Sequence, residues 1–392
     1  MRYTTIIPIL VVAALTSRWS THHSTSAPLV TAAGCAWTSV KAPVQDLFVD
    51  VQAVDGVPAD DVWAVGSQRA GGQPLILRRS GGKWVAVSGP APREGVLRAV
   101  DARTPTDVWA VGSQLPNGAG NLRTLIQHYD GKSWKVIKSP NPFPGANVLK
   151  GVVALSADDA WAVGGNGIPG SHAILLHYNG VRWTAERPAA LPAQADLLDI
   201  DRYFGSKELI AVGRRGGTSE KRQLVLSYDG QSWRQEPIKD PAQNGKELFG
   251  VSNSVTVGTQ SGSAALRAFG MNRVFEGTSL VGWEVATTQD SGDGINILYG
   301  VSMQSRHKTY QGFAVGYYET PQFTSRTLVL ELKNSGRRWE KMSSPNVTSK
   351  DNVLNDVYVA PLSSQAPSVQ AWAVGTASKP IGSVPLVLEY TC

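Results

Sequence analysis

A short segment that recurs along the chain constrains its fold more than any other feature. Residues 61–66 and 107–112 both read Asp-Val-Trp-Ala-Val-Gly. Five further copies keep an apolar run before glycine and end at Gly164, Gly213, Gly258, Gly316 and Gly375. Successive glycines lie 46, 52, 49, 45, 58 and 59 residues apart. This spacing is typical of four-stranded β-units repeated around a ring, and no segment shows the sustained 3.6-residue period of helical repeats.

Each repeat contains four strand signals. An L-x-x-V segment precedes the Trp-Ala-Val strand at residues 97–100, 149–152, 248–251, 298–301 and 354–357, with imperfect copies at 51–54 and 198–201. An apolar third strand follows, and in several repeats Asp-Gly or Asn-Gly then leads into a strand that contains tryptophan. These dipeptides accept the positive φ of a tight hairpin turn. Each repeat is therefore predicted to form four antiparallel strands.

The repeat count predicts an all-β fold, a seven-bladed β-propeller with four strands per blade. The first and second strand types each occur seven times. The tryptophan strand occurs six times after the first repeat begins, at Trp84, Trp134, Trp183, Trp233, Trp283 and Trp339. The seventh copy is Trp37, near the N-terminus. We therefore predict that the N-terminal strand closes the last blade, which leaves no unpaired edge at the seam.

The two cysteines flank this predicted seam. Cys35 begins the Trp37 strand, and Cys392 ends the third strand of the last blade. One disulfide is the simplest expectation for two cysteines in an exported chain. The alternative makes Cys35 a lipid-modified N-terminal cysteine, because Ala32, Ala33 and Gly34 precede it, and leaves Cys392 unpaired. We favour the disulfide.

The N-terminal segment is predicted to be a signal peptide and leader over residues 1–34, followed by the propeller over 35–392. Residues 6–15 form an apolar run of signal-peptide length that is too short to span a bilayer. A disordered cytosolic leader is the alternative. No later stretch approaches 18 apolar residues, so we predict a secreted or cell-surface protein without a membrane span.

Charge and residue spacing exclude several classes of partner. The net charge of +6 is modest for 392 residues and contains no long basic run, so we expect no nucleic-acid partner. The histidines and cysteines lack metal-ligand spacing, so we expect no metal and no cofactor. The G-x-G-x-x-G match at residues 165–170 precedes a strand and not the helix that a dinucleotide site needs. We expect a monomer.

The tryptophan-rich Asp-Val-Trp-Ala-Val-Gly unit resembles the repeat of secreted bacterial seven-bladed β-propellers, and the resemblance covers residues 35–392. It implies the fold. It implies little about activity, because propellers built from such units include binding modules, scaffolds and enzymes.

Residues that vary within a repeated frame are candidates for function. The residue after the first position of each L-x-x-V segment is predicted to face the central channel, in the order Gln52, Arg98, Lys150, Asp199, Phe249, Tyr299 and Asn355. Such a set can hold an anionic or sugar-like ligand through charge-assisted hydrogen bonds and ring stacking. The alternative is that these side chains only pack between blades.

A second candidate surface is a basic rim on the face that carries the inter-blade loops. It contains Arg69, Arg123, Arg214, Arg215, Lys221, Arg222, Arg326 and Lys379, together with Tyr317, Tyr318 and Glu319. We predict a binding or scaffolding module for a glycan or protein ligand, anionic in character, at the channel mouth or this rim. The alternative is an extracellular carbohydrate-active lyase or hydrolase that uses Asp199 with Lys150 or Tyr299 as its acid–base pair.

Overall fold

The recurrent glycines have a single physical cause. In the computed structural model, a Cβ added to Gly112 would lie 1.9 Å from the carbonyl oxygen of Val96, in the neighbouring inner strand. The glycines that end the other six repeats meet a backbone oxygen of their inner strand at 1.9 to 2.1 Å. The inner strand carries a β-bulge at this point in every blade. Only glycine allows the two backbones to approach this closely.

The structure describes residues 34–392 except 45, 58, 70–71, 93, 117–119, 167–171, 205, 218–220, 241–243, 263–264, 277–278, 293, 307–308, 334–336 and 362–368. The predicted signal peptide and leader lies outside these residues, apart from Gly34. No helix in the described part of the chain is long and apolar enough to cross a membrane.

The first four blades each use four consecutive antiparallel strands, after an N-terminal strand β1 (Ala36–Ser39). Blade 1 contains β2 (Val49–Gly56), β3 (Val62–Gln68), β4 (Gln73–Ser80) and β5 (Lys83–Ala86). Blade 2 contains β6 (Val96–Thr104), β7 (Asp107–Gln114), β8 (Arg123–Tyr129) and β9 (Trp134–Val136). Blade 3 contains β10 (Val148–Ser156), β11 (Asp159–Gly165), β12 (Ala173–Tyr178) and β13 (Trp183–Ala185). Blade 4 contains β14 (Ala195–Arg202), β15 (Leu209–Arg215), β16 (Arg222–Tyr228) and β17 (Trp233–Gln235).

The last three blades complete the ring. A short strand β18 (Ile238–Lys239) precedes blade 5, which contains β19 (Lys246–Ser252), β20 (Val255–Ser261), β21 (Leu266–Glu276) and β22 (Ser279–Thr288). Blade 6 contains β23 (Asn296–Arg306), β24 (Thr309–Glu319), β25 (Ser325–Lys333) and β26 (Arg338–Met342). Blade 7 contains β27 (Asn352–Val359), β28 (Gln370–Ser378), β29 (Ser383–Thr391) and, as its outer strand, β1. The predicted seven-bladed propeller is confirmed.

The seam between the two ends of the chain is closed as the sequence predicts. Strand β1 pairs antiparallel with β29, from Ala36 opposite Thr391 to Ser39 opposite Leu388. The disulfide Cys35–Cys392 joins the two strands where other blades have a hairpin turn. The Trp37 side chain is buried and packs edge-on against Phe313 of blade 6, with ring centroids 5.1 Å apart.

Tryptophan side chains also join neighbouring blades elsewhere in the ring. Trp63 of blade 1 contacts Trp134 of blade 2 edge-on at 5.4 Å. Trp109 and Trp183 repeat this arrangement between blades 2 and 3, and Trp161 and Trp233 repeat it between blades 3 and 4. The repeated tryptophans therefore form inter-blade contacts, which explains their recurrence without a role in ligand binding.

Blade 5 departs from the repeat. Its third strand, β21, has no clear counterpart in the sequence pattern, and β21 continues into a long hairpin with β22 instead of an Asp-Gly turn. The outer strand β22 pairs in parallel with β18 and, at Thr287 and Thr288, with β26. Blades 5 and 6 are thus joined at their outer strands as well as side by side.

Candidate ligand-binding site

The inner-strand bulge creates a ring of channel-facing side chains. In each blade one residue of the bulge has no partner on the second strand, and that residue follows the position opposite the glycine. All seven predicted ring residues line one cavity of about 530 Å³ in the channel, toward the face where the inner strands begin. We call this end the upper mouth. The same face carries the loops between second and third strands.

Three of the cations at the upper mouth are paired with carboxylates. The Lys150 Nζ lies 2.7 Å from both carboxylate oxygens of Asp196, and the Arg214 Nη2 lies 2.9 Å from one of them. Arg214 also pairs with Glu247, which accepts a 2.6 Å hydrogen bond from Lys221. Burial lowers the pKa of Lys150, and Asp196 opposes this shift. Arg214, predicted as a rim residue, is therefore part of a paired network.

Arg98 has a different environment. Among the described residues no hydrogen bond or ion pair to its guanidinium is found, and its Nε is buried without a partner. Burial lowers the pKa of Arg98, while the charge of Asp50 acts in the opposite direction. Asp50 itself accepts hydrogen bonds from Gln52, Asn355 and Thr376. The side-chain amides of the predicted site residues Gln52 and Asn355 therefore donate to the carboxylate of Asp50.

The opposite arc of the ring is aromatic. Phe249 and Tyr299, in the neighbouring blades 5 and 6, have ring centroids 5.4 Å apart. Tyr317, predicted as a rim residue, lies 6.1 Å from the Tyr299 ring. Burial, together with Tyr317, raises the pKa of Tyr299 to about 12. The Tyr299 hydroxyl is therefore neutral at physiological pH and can donate a hydrogen bond.

The position of Asp199 was predicted one residue away from where it lies. Leu197, and not Leu198, pairs with Gly213, so Leu198 occupies the bulge and Asp199 follows it. Two adjacent leucines fit the pattern equally well, and the strand pairing decides between them. Asp199 still lines the cavity. Its carboxylate accepts backbone hydrogen bonds from Ile200 at 2.8 Å and Val251 at 2.9 Å.

Asp199 therefore joins blades 4 and 5 through the backbone of Val251. Asp356, at the equivalent position of blade 7, accepts a 3.0 Å hydrogen bond from the backbone N–H of Val54 in blade 1. Burial raises the pKa of Asp199 well above its usual range and that of Asp356 to about 7. The contacts of Asp199 are those of a structural carboxylate, and the acid–base role remains a prediction.

Three further carboxylates, which the L-x-x-V pattern did not predict, lie deeper in the channel. Asp55, Asp101 and Asp201 lie four residues after the glycine-facing position of blades 1, 2 and 4. The Asp55 carboxylate accepts a 2.7 Å hydrogen bond from the backbone N–H of Ala102, and the Asp101 carboxylate accepts one of 3.1 Å from the backbone N–H of Ala154. Aligning the repeats one column beyond the L-x-x-V segment would have revealed these residues. They line the floor of the upper cavity and a second cavity of about 320 Å³ at the other end.

Several residues of the predicted basic rim have partners within the protein or line a different cavity. Arg215 lines a separate cavity of about 140 Å³ with residues of β16 and β17. Arg69 pairs with Asp46 at 3.5 Å, and Arg326 donates to the carbonyl oxygens of Thr348, Ser349 and Lys350. The structure thus assigns several rim cations to loop contacts within the protein.

The histidines that precede a tyrosine in the third strand have structural partners. His128 stacks on Trp109 at 4.1 Å, and its Nε2 lies 2.6 Å from Asp107. His177 makes the same contacts with Trp161 and Asp159. In the part of the chain that the structure describes, no three His, Cys, Asp or Glu side chains are grouped to hold a metal ion.

Comparison with known proteins supports the fold. No protein-family model and no curated protein sequence matches this chain. Similar solved structures include the propeller YCF48 bound to D1 peptide, with a TM-score of 0.50 and 15% identity, covering 90% of this chain and 96% of that chain. They also include the ulvan lyase PL25 bound to -[GlcA(1-4)Rha3S]-, with a TM-score of 0.54 and 10% identity, covering 89% of this chain and 95% of that chain. At these identities the similarity shows an all-β propeller fold and nothing more specific.

Proposed function

We propose that the protein is an extracellular binding module whose glycan ligand occupies the upper mouth of the central channel. The observation that carries this proposal is one cavity of about 530 Å³ with a cationic arc at Arg98 and Lys150 and an aromatic arc at Phe249 and Tyr299. The volume lies within the usual range for small-ligand sites, roughly 300–1,000 Å³. Aromatic faces pack against the apolar faces of sugar rings, and buried polar groups fix their orientation.

Propellers of this fold accommodate both ligand classes that the sequence suggests. YCF48 has been solved with a peptide and the ulvan lyase with a saccharide. We favour the glycan because the cavity is enclosed by seven inner strands and combines aromatic rings with hydrogen-bonding groups. A protein ligand would instead use the exposed rim, where several cations already have partners.

Binding is favoured over catalysis by the state of the proposed acid–base groups. Both oxygens of Asp199 accept backbone hydrogen bonds, Lys150 is held by Asp196, and the pKa of Tyr299 is about 12. These contacts occupy both oxygens of Asp199 and the ammonium group of Lys150, which proton transfer would need. We therefore treat a carbohydrate-active lyase or hydrolase as the alternative function, which the glycan experiment described below can establish.

An extracellular location is supported by the covalent seam. Disulfides persist in oxidising compartments, and this one joins the two ends of the ring. The predicted signal peptide over residues 1–34 would direct the chain there.

A glycan array with the purified protein, followed by calorimetry on each hit, tests the proposal. The Phe249→Ala variant should bind the glycan about two- to thirteen-fold more weakly, because one stacking face is lost. Phe275→Ala is the matched control, since Phe275 is an exposed phenylalanine of the same blade that does not line the channel. Equal affinity in both variants would contradict the proposed site. Release of reducing ends or unsaturated products from a bound glycan would establish the enzyme instead.

A further inference from the structure

We propose that the glycan carries a carboxylate, as a uronic acid does, and that this carboxylate binds the Arg98 guanidinium. The inference rests on the proposed function and adds the chemical class of the ligand. It follows from a comparison of the charged groups around the upper mouth.

Most charges at the upper mouth already have partners. The acidic side chains that precede the glycine-facing position are Asp50, Asp196 and Glu247, in blades 1, 4 and 5. Asp196 binds Lys150 and Arg214, and Glu247 binds Arg214 and Lys221. These two carboxylates and three cations form one continuous network. An incoming anion would have to compete with protein carboxylates for any of those cations.

Arg98 is the exception among the described channel residues. Asp50 is the carboxylate whose charge acts on it, and the oxygens of Asp50 accept hydrogen bonds from Gln52, Asn355 and Thr376. The guanidinium is therefore partly desolvated and faces the cavity without an anionic partner. Leaving a charge in such a place is costly unless a ligand pairs with it. A carboxylate matches the planar fork of arginine with two parallel hydrogen bonds.

The remaining walls orient the rest of the ligand. Phe249 and Tyr299 lie in blades 5 and 6, across the channel from Arg98 in blade 2. A sugar ring that packs on the cavity side of this aromatic pair can therefore direct its carboxylate across the channel toward the arginine. The floor of the cavity contains Asp101 and Asp201, whose carboxylates disfavour an anion at that depth and can accept hydrogen bonds from hydroxyl groups. A ligand with one carboxylate and several hydroxyls fits this distribution.

Isothermal titration calorimetry with three sets of oligosaccharides tests the inference: uronic acid oligomers, neutral oligomers of the same linkage, and sulfated oligomers. The protein should bind the uronic acid set about 10- to 100-fold more tightly than the neutral set, as expected for a charge-assisted hydrogen-bonding pair. Arg98→Gln should abolish this preference while weak binding of neutral oligomers remains. Arg98→Lys should retain a part of it, because lysine keeps the charge and loses the fork.

Arg123→Gln is the matched control. Arg123 begins β8 of the same blade on the upper face, and it does not line the cavity. The Arg123→Gln variant loses the same charge as Arg98→Gln and should still bind the uronic acid set more tightly than the neutral set. Loss of the preference in this variant alone would place anion recognition on the rim and overturn the role of Arg98.

The outcomes separate the two proposals. Equal binding of neutral and uronic acid oligomers by the unmodified protein overturns the inference and leaves the glycan-binding function intact. Preference for the sulfated set overturns the carboxylate assignment. Absence of binding to all three sets overturns the proposed function itself. If the thermal midpoint of Arg98→Gln shows that it does not fold, Arg98→Lys decides, since an unchanged preference there contradicts recognition by the guanidinium fork.

Discussion

Removal of the disulfide at the seam should lower the stability of the ring by several kcal/mol. The double variant Cys35→Ser and Cys392→Ser opens a covalent loop of 357 residues. The chain-entropy model gives an entropy change of about 20 cal/mol/K for a loop of this length, which corresponds to about 6 kcal/mol at about 25 °C. Residual structure in the unfolded chain reduces this value, so about 6 kcal/mol is an upper figure.

The variant should open first at the seam. Without the disulfide, β1 is held by four residue pairs with β29 and by the buried side chain of Trp37. Burial of one large side chain stabilises by about 1.5–3 kcal/mol, which is less than the stability expected for a whole domain. Strand β1 should therefore detach while blades 1 to 6 remain folded.

Two measurements check this prediction. Urea unfolding should show a lower midpoint for the double variant, and hydrogen exchange should become fast in β1 while β2 and β3 stay protected. Thr38→Ser, a change at an exposed side chain of β1, should leave both measurements unchanged. An unfolding free energy within about 1 kcal/mol of the unmodified protein, with β1 still protected, would refute the argument that the ring depends on its covalent closure.

Two further predictions concern the inner strands. Burial raises the pKa of Asp101 to about 6 and that of Asp356 to about 7. The native state therefore binds more protons than the unfolded chain in this pH range. The contribution of these two carboxyl groups to the free energy of unfolding is present at low pH and is lost as pH rises from about 4 through about 7. For Asp356 the loss is up to about 4 kcal/mol. The thermal midpoint of the unmodified protein relative to that of Asp356→Asn should therefore fall as pH rises through this range. A difference between the two proteins that does not change with pH contradicts the assignment. Gly112→Ala should cost about 3 kcal/mol or more in urea unfolding, because its Cβ meets a backbone oxygen at 1.9 Å. Gly81→Ala, at a positive φ in open space, should cost only about 1 kcal/mol, and equal costs would contradict the close-approach argument.

The propeller architecture could be predicted because the same local contacts occur in each sequence repeat. A glycine equivalent to Gly112 occurs in every blade because the bulge beside it leaves no room for a Cβ. A tryptophan equivalent to Trp109 occurs in several blades because its ring packs against the next blade. The closing strand followed from counting tryptophans, and Cys35 with Cys392 marked the place where it joins. Each of these signals lies within one repeat or at the two ends of the chain.

The electrostatic state of the site could not be predicted in the same way. Lys150 and Arg98 occupy equivalent positions, and nothing in their own repeats distinguishes them. The difference arises because Asp196, from the next blade along the ring, reaches Lys150, whereas Asp50 beside Arg98 is held by other donors. Asp199 was misplaced for a related reason, since only the pairing of Leu197 with Gly213 fixes the position of the bulge. Such contacts depend on side chains of several repeats and have no periodic signal.

The bulge explains why variation at the channel is compatible with a fixed frame. The residue opposite each glycine must be apolar and buried, as Leu97 is, while the next residue leaves the strand pairing and points into the channel. A change at that position alters the proposed ligand site without removing a backbone hydrogen bond of the blade. Deeper in the channel, carboxylates such as Asp55 and Asp101 accept hydrogen bonds from backbone N–H groups of the next blade. The walls of the cavity are therefore held in place by the protein itself, so ordering of the backbone would not reduce the affinity that we propose for Arg98 and Phe249.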